Sequence, residues 1–84
     1  MAEGEQLVGR VTHYYSKIGV AIVELSEDVS VGDMLHYKGK TTDFEEAPSS
    51  MQIEHEDVSS AKKGKTVGIK VSSEVREGDQ VYKK

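Results

Sequence analysis

Between Met51 and Val71 the chain reads MQIEHEDVSSAKKGKTVGIKV. Met51, Ile53 and His55 alternate with Gln52, Glu54 and Glu56. After a polar stretch, Val67, Ile69 and Val71 alternate with Thr66, Gly68 and Lys70. A period of two is the signature of a half-buried strand, because successive side chains leave opposite faces of the backbone. The spacing therefore predicts two strands joined by the turn SSAKKGK, with room for one short helical turn before Gly64. Their apolar face must be covered by the rest of the chain.

The other segments are suited to that task. The pattern predicts a first strand from Leu7 to Tyr14, with Gly9 at a bulge or against a close backbone neighbour. Ser16, Lys17 and Gly19 punctuate a turn. VAIVEL, Val20 to Leu25, is β-branched and almost continuously apolar, which predicts a strand covered on both faces. Met34 to Lys38, Thr41 to Glu45 and Gln80 to Lys83 read as further strands. Pro48 has no N–H to give a ladder, so it belongs in a loop or on an edge. DVSVGDMLHYK (residues 28–38) is echoed by EVREGDQVYKK (residues 74–84). Each copy places Gly-Asp before a strand, as expected of two turns in which Gly supplies a positive φ and Asp caps the backbone.

With no amphipathic helix in the pattern, six or seven short strands predict an all-β fold, and closure into a small barrel would remove exposed edges. Residues 1–6, acidic and polar, read as a flexible leader, and residues 7–84 as one domain. At 84 residues a chain buries only about 60–65% of its unfolded surface, which leaves a surface groove or a barrel end as the place for a site. Cysteine is absent, so disulfide and thiolate chemistry are excluded. No secretory signal is visible and no apolar run approaches the ~20 residues of a membrane span, so a cytoplasmic protein without membrane partners is expected. The net charge of −4 disfavours non-specific nucleic-acid binding overall, while leaving room for a local basic patch.

Four groups of side chains can carry chemistry. His13, His36 and His55 lie on separate expected strands without tight ligand spacing, so no metal site is expected; His13 and His36 read as surface residues and His55 as hydrogen-bonded near a barrel end. Asp43, Glu45, Glu46, Glu54, Glu56 and Asp57 make the middle of the chain acidic and read as a solvated face. Lys62, Lys63 and Lys65 surround Gly64 and could form a phosphate-binding edge, with tyrosines nearby for stacking. The paired serines sit in turns, where hydroxyls replace missing backbone partners. No nucleophile–base constellation is visible, so catalysis is not expected.

VGRV, the VGD turn, MQIEHE, GKTVGIKV and REGD, taken in order, resemble domain 2 of elongation factor Tu and its archaeal and eukaryotic counterpart, and above all stand-alone translation-factor-like proteins built on that barrel. The segment from VGRV to VGD is also similar to the small barrel at the C-terminus of collagenase-like peptidases. The first resemblance implies a closed six-stranded antiparallel Greek-key barrel without a GTPase, because the sequence has no phosphate-binding loop, no bound nucleotide and no cofactor being implied. In the elongation factors this barrel helps hold the aminoacylated end of tRNA. Gln52 stands where the family has a stacking glutamate, His55 where it has a basic or histidine residue, and Thr66 where it has an asparagine. Lys65 replaces an acidic residue. The resemblance thus implies a non-catalytic module that associates with tRNA, rRNA or a translation-associated protein through Gln52, His55, Lys62, Lys63, Lys65 and Thr66. An acidic protein-interaction adaptor that binds no nucleic acid is the alternative.

Overall fold

The structure, a computed structural model, describes residues 5–84. Ten strands follow one another: β1 (Gln6–Tyr15), β2 (Val20–Leu25), β3 (Val29–Ser30), β4 (Leu35–Lys38), β5 (Asp43–Glu46), β6 (Met51–Ile53), β7 (Glu56–Val58), β8 (Ser60–Ala61), β9 (Thr66–Lys70) and β10 (Gln80–Lys83). Eight of them form one antiparallel sheet in the order β5-β4-β10-β1-β2-β9-β6-β7, and β3 pairs with β8 in a small second sheet. The all-β reading holds. Of the expected leader, residues 1–4 lie outside the described residues; β1 begins at Gln6.

The expected closed six-stranded barrel is not what forms. Among the described residues the sheet ends at β5 on one side and β7 on the other, with no ladder joining them. The interruption falls between β5 and β6, at Pro48, which cannot donate to a ladder. There the chain is tied by single hydrogen bonds instead: Lys70 N–H to Ser50 O (3.1 Å) and Ser72 N–H to Glu46 Oε1 (3.0 Å). The organising ribbon is also shorter than its alternation suggests. β6 pairs with β9 only through Met51↔Ile69 and Gln52↔Gly68, then reverses at Glu54-His55 into β7. The turn SSAKKGK holds no helical turn; Ser60–Ala61 within it joins β3 as β8.

The core lies on the inward face of this curved sheet. Val8, Val11, Val23, Val67, Ile69 and Val81 are all essentially inaccessible, each contributing about 1.5–3 kcal/mol by leaving water. Gly9 sits at a bulge between β1 and β10. A Cβ there would lie 2.8 Å from Val23 Cγ1 and 2.9 Å from Glu24 O, so only glycine lets β1 and β2 close on each other. β2 departs from its expected two-sided burial. Ala21, Val23 and Leu25 are buried, whereas Val20 and Ile22 on the other face are half-exposed.

Candidate functional site

That half-exposed face of β2 is the floor of a surface groove of about 440 Å³. The apolar wall is made by Tyr15 at the end of β1 and Ile18 in the following turn, rising from Val20 and Ile22 on the floor. Tyr15 and Ile18 are 48% and 57% exposed. Gathered beside the half-exposed face of β2 rather than scattered singly, they form an apolar surface of the kind that marks a binding groove. The turn that presents Ile18 is held in place: Lys70 Nζ donates to Ile18 O at 2.5 Å, and Gly19 N–H to Tyr15 O at 2.9 Å. Gly68 of β9 keeps the floor low, since a Cβ there would press on Val20 Cγ1 at 3.3 Å.

The opposite wall is polar and comes from the β6–β7 hairpin, with Gln52, Glu54 and His55 facing the groove and Thr66 at its base. Gln52 Nε2 donates to Asp57 Oδ1 across the hairpin at 3.0 Å, which fixes that side chain. Ile53 pairs with Glu56, leaving a two-residue loop, and both loop residues have positive φ: 51° at Glu54 and 67° at His55. Two left-handed residues make the primed turn that matches strand twist, a position where Asn-Gly is the low-strain choice. Here a glutamate and a histidine occupy it, at a cost of roughly 1 kcal/mol or more each.

Of the six residues the sequence singled out, the groove brings together Gln52, His55 and Thr66. The three lysines lie elsewhere, in the turn before β9. Lys62 pairs with Asp28 at 3.6 Å, and Lys63 N–H donates to Asp28 Oδ1 at 2.9 Å. That backbone hydrogen bond, aided by the Lys62 charge, holds the Asp28 carboxyl below its usual range. Lys65 N–H bonds Lys62 O, and Lys65 O accepts from Leu25 N–H, so the turn is docked on the end of β2 by its backbone.

The histidines sort only partly as expected. His13 is exposed and lies 3.2 Å from Glu77. His55, expected to be hydrogen-bonded near a barrel end, is exposed on the hairpin tip. His36, expected at the surface, is largely enclosed and carries a carboxylate on each ring nitrogen: Glu5 on Nδ1 at 2.9 Å and Asp43 on Nε2 at 2.5 Å. Glu5 is 31 residues away, and no local spacing rule connects the two. Nothing in the local pattern marks Tyr15 and Ile18 as an apolar wall, since they meet only across the β1–β2 turn.

The fold and the groove define a small antiparallel β-domain with one amphipathic surface channel. The comparisons with known proteins find a sequence relative and structural neighbours for that domain. Over 76 residues the chain is 51% identical to the uncharacterised protease MJ0090 of Methanocaldococcus jannaschii, a match that takes in 89% of this chain and 19% of that protein. The chain thus spans about a fifth of the curated relative's length. Its fold is that of the C-terminal domain of a Geobacillus thermoleovorans protein described as a U32 peptidase. One crystal structure of that domain superposes with a TM-score of 0.87 at 20% identity, over 94% of this chain and 92% of that one. The selenomethionine variant gives 0.85 at 19% identity, over 90% and 96%. No protein-family model matches the chain.

These relatives overturn the translation-factor assignment and the RNA-directed function drawn from it. The motifs that carried the resemblance were glycine turns and strand alternation, which any small antiparallel domain needs. The similarity of VGRV to VGD with a peptidase C-terminal barrel points the way these relatives do. Among the described residues no helix is long and apolar enough to cross a membrane.

Proposed function

We propose that this chain is a non-catalytic accessory domain of a U32-type peptidase system, and that its groove holds an extended polypeptide. The observation that carries the reading is the Glu54-His55 tip. A strained turn persists at the wall of an apolar groove although Asn-Gly would relieve it, and backbone strain of this kind concentrates at functional sites. The groove has one apolar wall for a side chain and one polar wall for the backbone beside it, the usual division of labour in peptide recognition. The groups with catalytic potential are otherwise engaged. His36 is held between two carboxylates, His13 faces Glu77, and Asp79 caps a turn.

The test is a titration of the labelled domain with a permanently unfolded chain, reduced and carboxymethylated α-lactalbumin, followed by NMR. Shifts are expected at Ile18, Ile22, Glu54 and His55. Ile18→Glu, at an exposed position, should weaken binding about tenfold, roughly the loss of one apolar contact. Replacing Glu54 and His55 by Asn and Gly should raise stability by about 1 kcal/mol while weakening binding. Equal affinity in the parent and both variants sinks the proposal, as does cleavage of the polypeptide by the isolated domain.

A further inference from the structure

On the outward face of the sheet, toward its β5 edge and away from the groove, three stretches of chain meet at His36. Its Nδ1 lies 3.2 and 2.9 Å from the two oxygens of Glu5, and its Nε2 lies 2.5 Å from Asp43 Oδ1. The His36 and Glu5 side chains are 12% and 7% exposed, and Asp43 is open to solvent at 71%. Both ring nitrogens therefore face carboxylate oxygens at hydrogen-bond distance. A neutral imidazole has one N–H and one lone pair, so in that form one nitrogen would point its lone pair at an anion. Only the imidazolium donates to both.

The surroundings balance that charge. Glu45 is the register partner of His36 on β5, and its carboxylate is held by the Lys84 ammonium at 2.9 and 3.0 Å. Lys38, farther along β4, adds positive charge near Asp43. Tyr82 of β10 covers the ring with a centroid separation of 6.3 Å. Three carboxylates, Glu5, Asp43 and Glu45, thus meet three cations, Lys38, Lys84 and a protonated His36. Removing the proton leaves one uncompensated negative charge beside an enclosed ring.

The donor atoms of Glu5, His36 and Glu45 lie within 4.8 Å of one another, which raises the question of a divalent metal. The geometry favours a proton, because Lys84 already neutralises Glu45 and His36 Nδ1 is turned onto Glu5. Glu5 directly precedes β1, and Asp43 opens β5, an edge strand held in the sheet by β4 alone. We propose that His36 is a proton-operated clasp: its imidazolium ties both the chain leading into β1 and the edge strand β5 to β4, and loss of the proton releases both.

The hydrogen bond to Asp43, followed by that to Glu5, raises the His36 pKa above its ordinary 6.5, against an opposing contribution from burial. The same contact lowers the Asp43 pKa below 3.8. Because the folded pKa of His36 is raised, the clasp's stabilisation is complete below pH 6.5 and is lost as pH rises through the raised value. At the acid end it fades as Asp43 becomes protonated, below its ordinary 3.8.

An NMR pH titration of the unaltered domain tests this without risk to the fold. His36 should titrate above 6.5, and Asp43→Asn should lower it more than Glu5→Gln. Across the same range, the amides of Asp43–Glu46 should lose hydrogen-exchange protection while those of Thr66–Lys70 keep theirs, a difference that a purely structural histidine would not produce. Titration of His36 at or below 6.5 overturns the proposal. So does unchanged protection of β5, or stoichiometric zinc binding at His36 at neutral pH, which would make the cluster a metal centre.

Discussion

Two turns of the same sequence type lead into neighbouring strands, and they are built alike but seated differently. At Ser30–Asp33, Ser30 N–H donates to Asp33 Oδ2 at 2.9 Å and Asp33 N–H to Ser30 O at 3.1 Å. At Arg76–Asp79 the matching distances are 2.8 and 3.1 Å. Gly32 and Gly78 occupy the same position with φ of 97° and 92°. The strands that follow, β4 and β10, pair with each other, Tyr37 opposite Val81. The surroundings differ. The Asp33 side chain is 32% exposed and has Lys83 3.6 Å away. Asp79 is 5% exposed and packs against Gly39, while its turn is bonded to Val11 from both sides, through Gly78 N–H (2.8 Å) and Asp79 O (2.8 Å). One local motif is thus a surface cap in one place and a structural joint in the other. What an aspartate contributes depends less on the turn it closes than on whether water can replace it.

That contrast can be broken most forcefully at Gly39. A methyl there would come 1.9 Å from Asp79 Oδ1, and the carboxylate cannot swing away without giving up its cap. Gly39→Ala should cost about 3 kcal/mol in chemical denaturation, in the range of overpacked sites. Gly32→Ala, with open space but a positive φ, should cost about 1 kcal/mol. Equal losses would show that the two turns are seated alike after all. Next come the caps themselves. Asp79→Ala removes a buried carboxylate, leaves the part-buried Arg76 N–H without its acceptor and should cost about 2 kcal/mol, against about 0.5 kcal/mol for Asp33→Ala, where water replaces the carboxylate. The smallest effect is expected on β4, the strand launched by the exposed turn. The Tyr37 hydroxyl is buried and finds no partner among the described residues, and burial, with the nearby Glu46 charge, pushes its phenol upward. Tyr37→Phe should therefore be neutral or raise stability by up to about 1 kcal/mol, the ring keeping its stack on Phe44 at 4.9 Å. A clear loss would mean that the hydroxyl has a role the strand pairing does not reveal.

How far the sequence could be read follows from the range of each signal. Gly9 at a bulge, Gly-Asp turns and the last strand from Gln80 to Lys83 were legible, because each depends on a few adjacent residues. Glu54-His55 was not, because alternation from Met51 to Glu56 runs unbroken through a turn made of residues that ordinarily avoid it. Closure was misjudged because it depends on whether β5 and β7 meet, and no local pattern reports that. Gln52, His55 and Thr66, which line the polar half of the groove, were singled out through a resemblance that the relatives overturn, not by a signal of their own. The apolar half needed Ile18 and Ile22 brought opposite the hairpin by the pairing of β2 with β9. The His36 cluster joins residues from three separate stretches and has no sequence signature at all.

The pairing of β1 with β10 places Gln6 opposite Lys83, so the points where the chain enters and leaves the sheet are neighbours. A domain wired in this way can be set into a surface loop of a larger protein like a bead on a closed string, without pulling the host apart. The same wiring allows the order of the polypeptide to be recut. Joining those two points with a few glycines and opening the chain at the Glu54-His55 tip would keep every ladder except that of the hairpin. It would also move the chain ends to the rim of the groove.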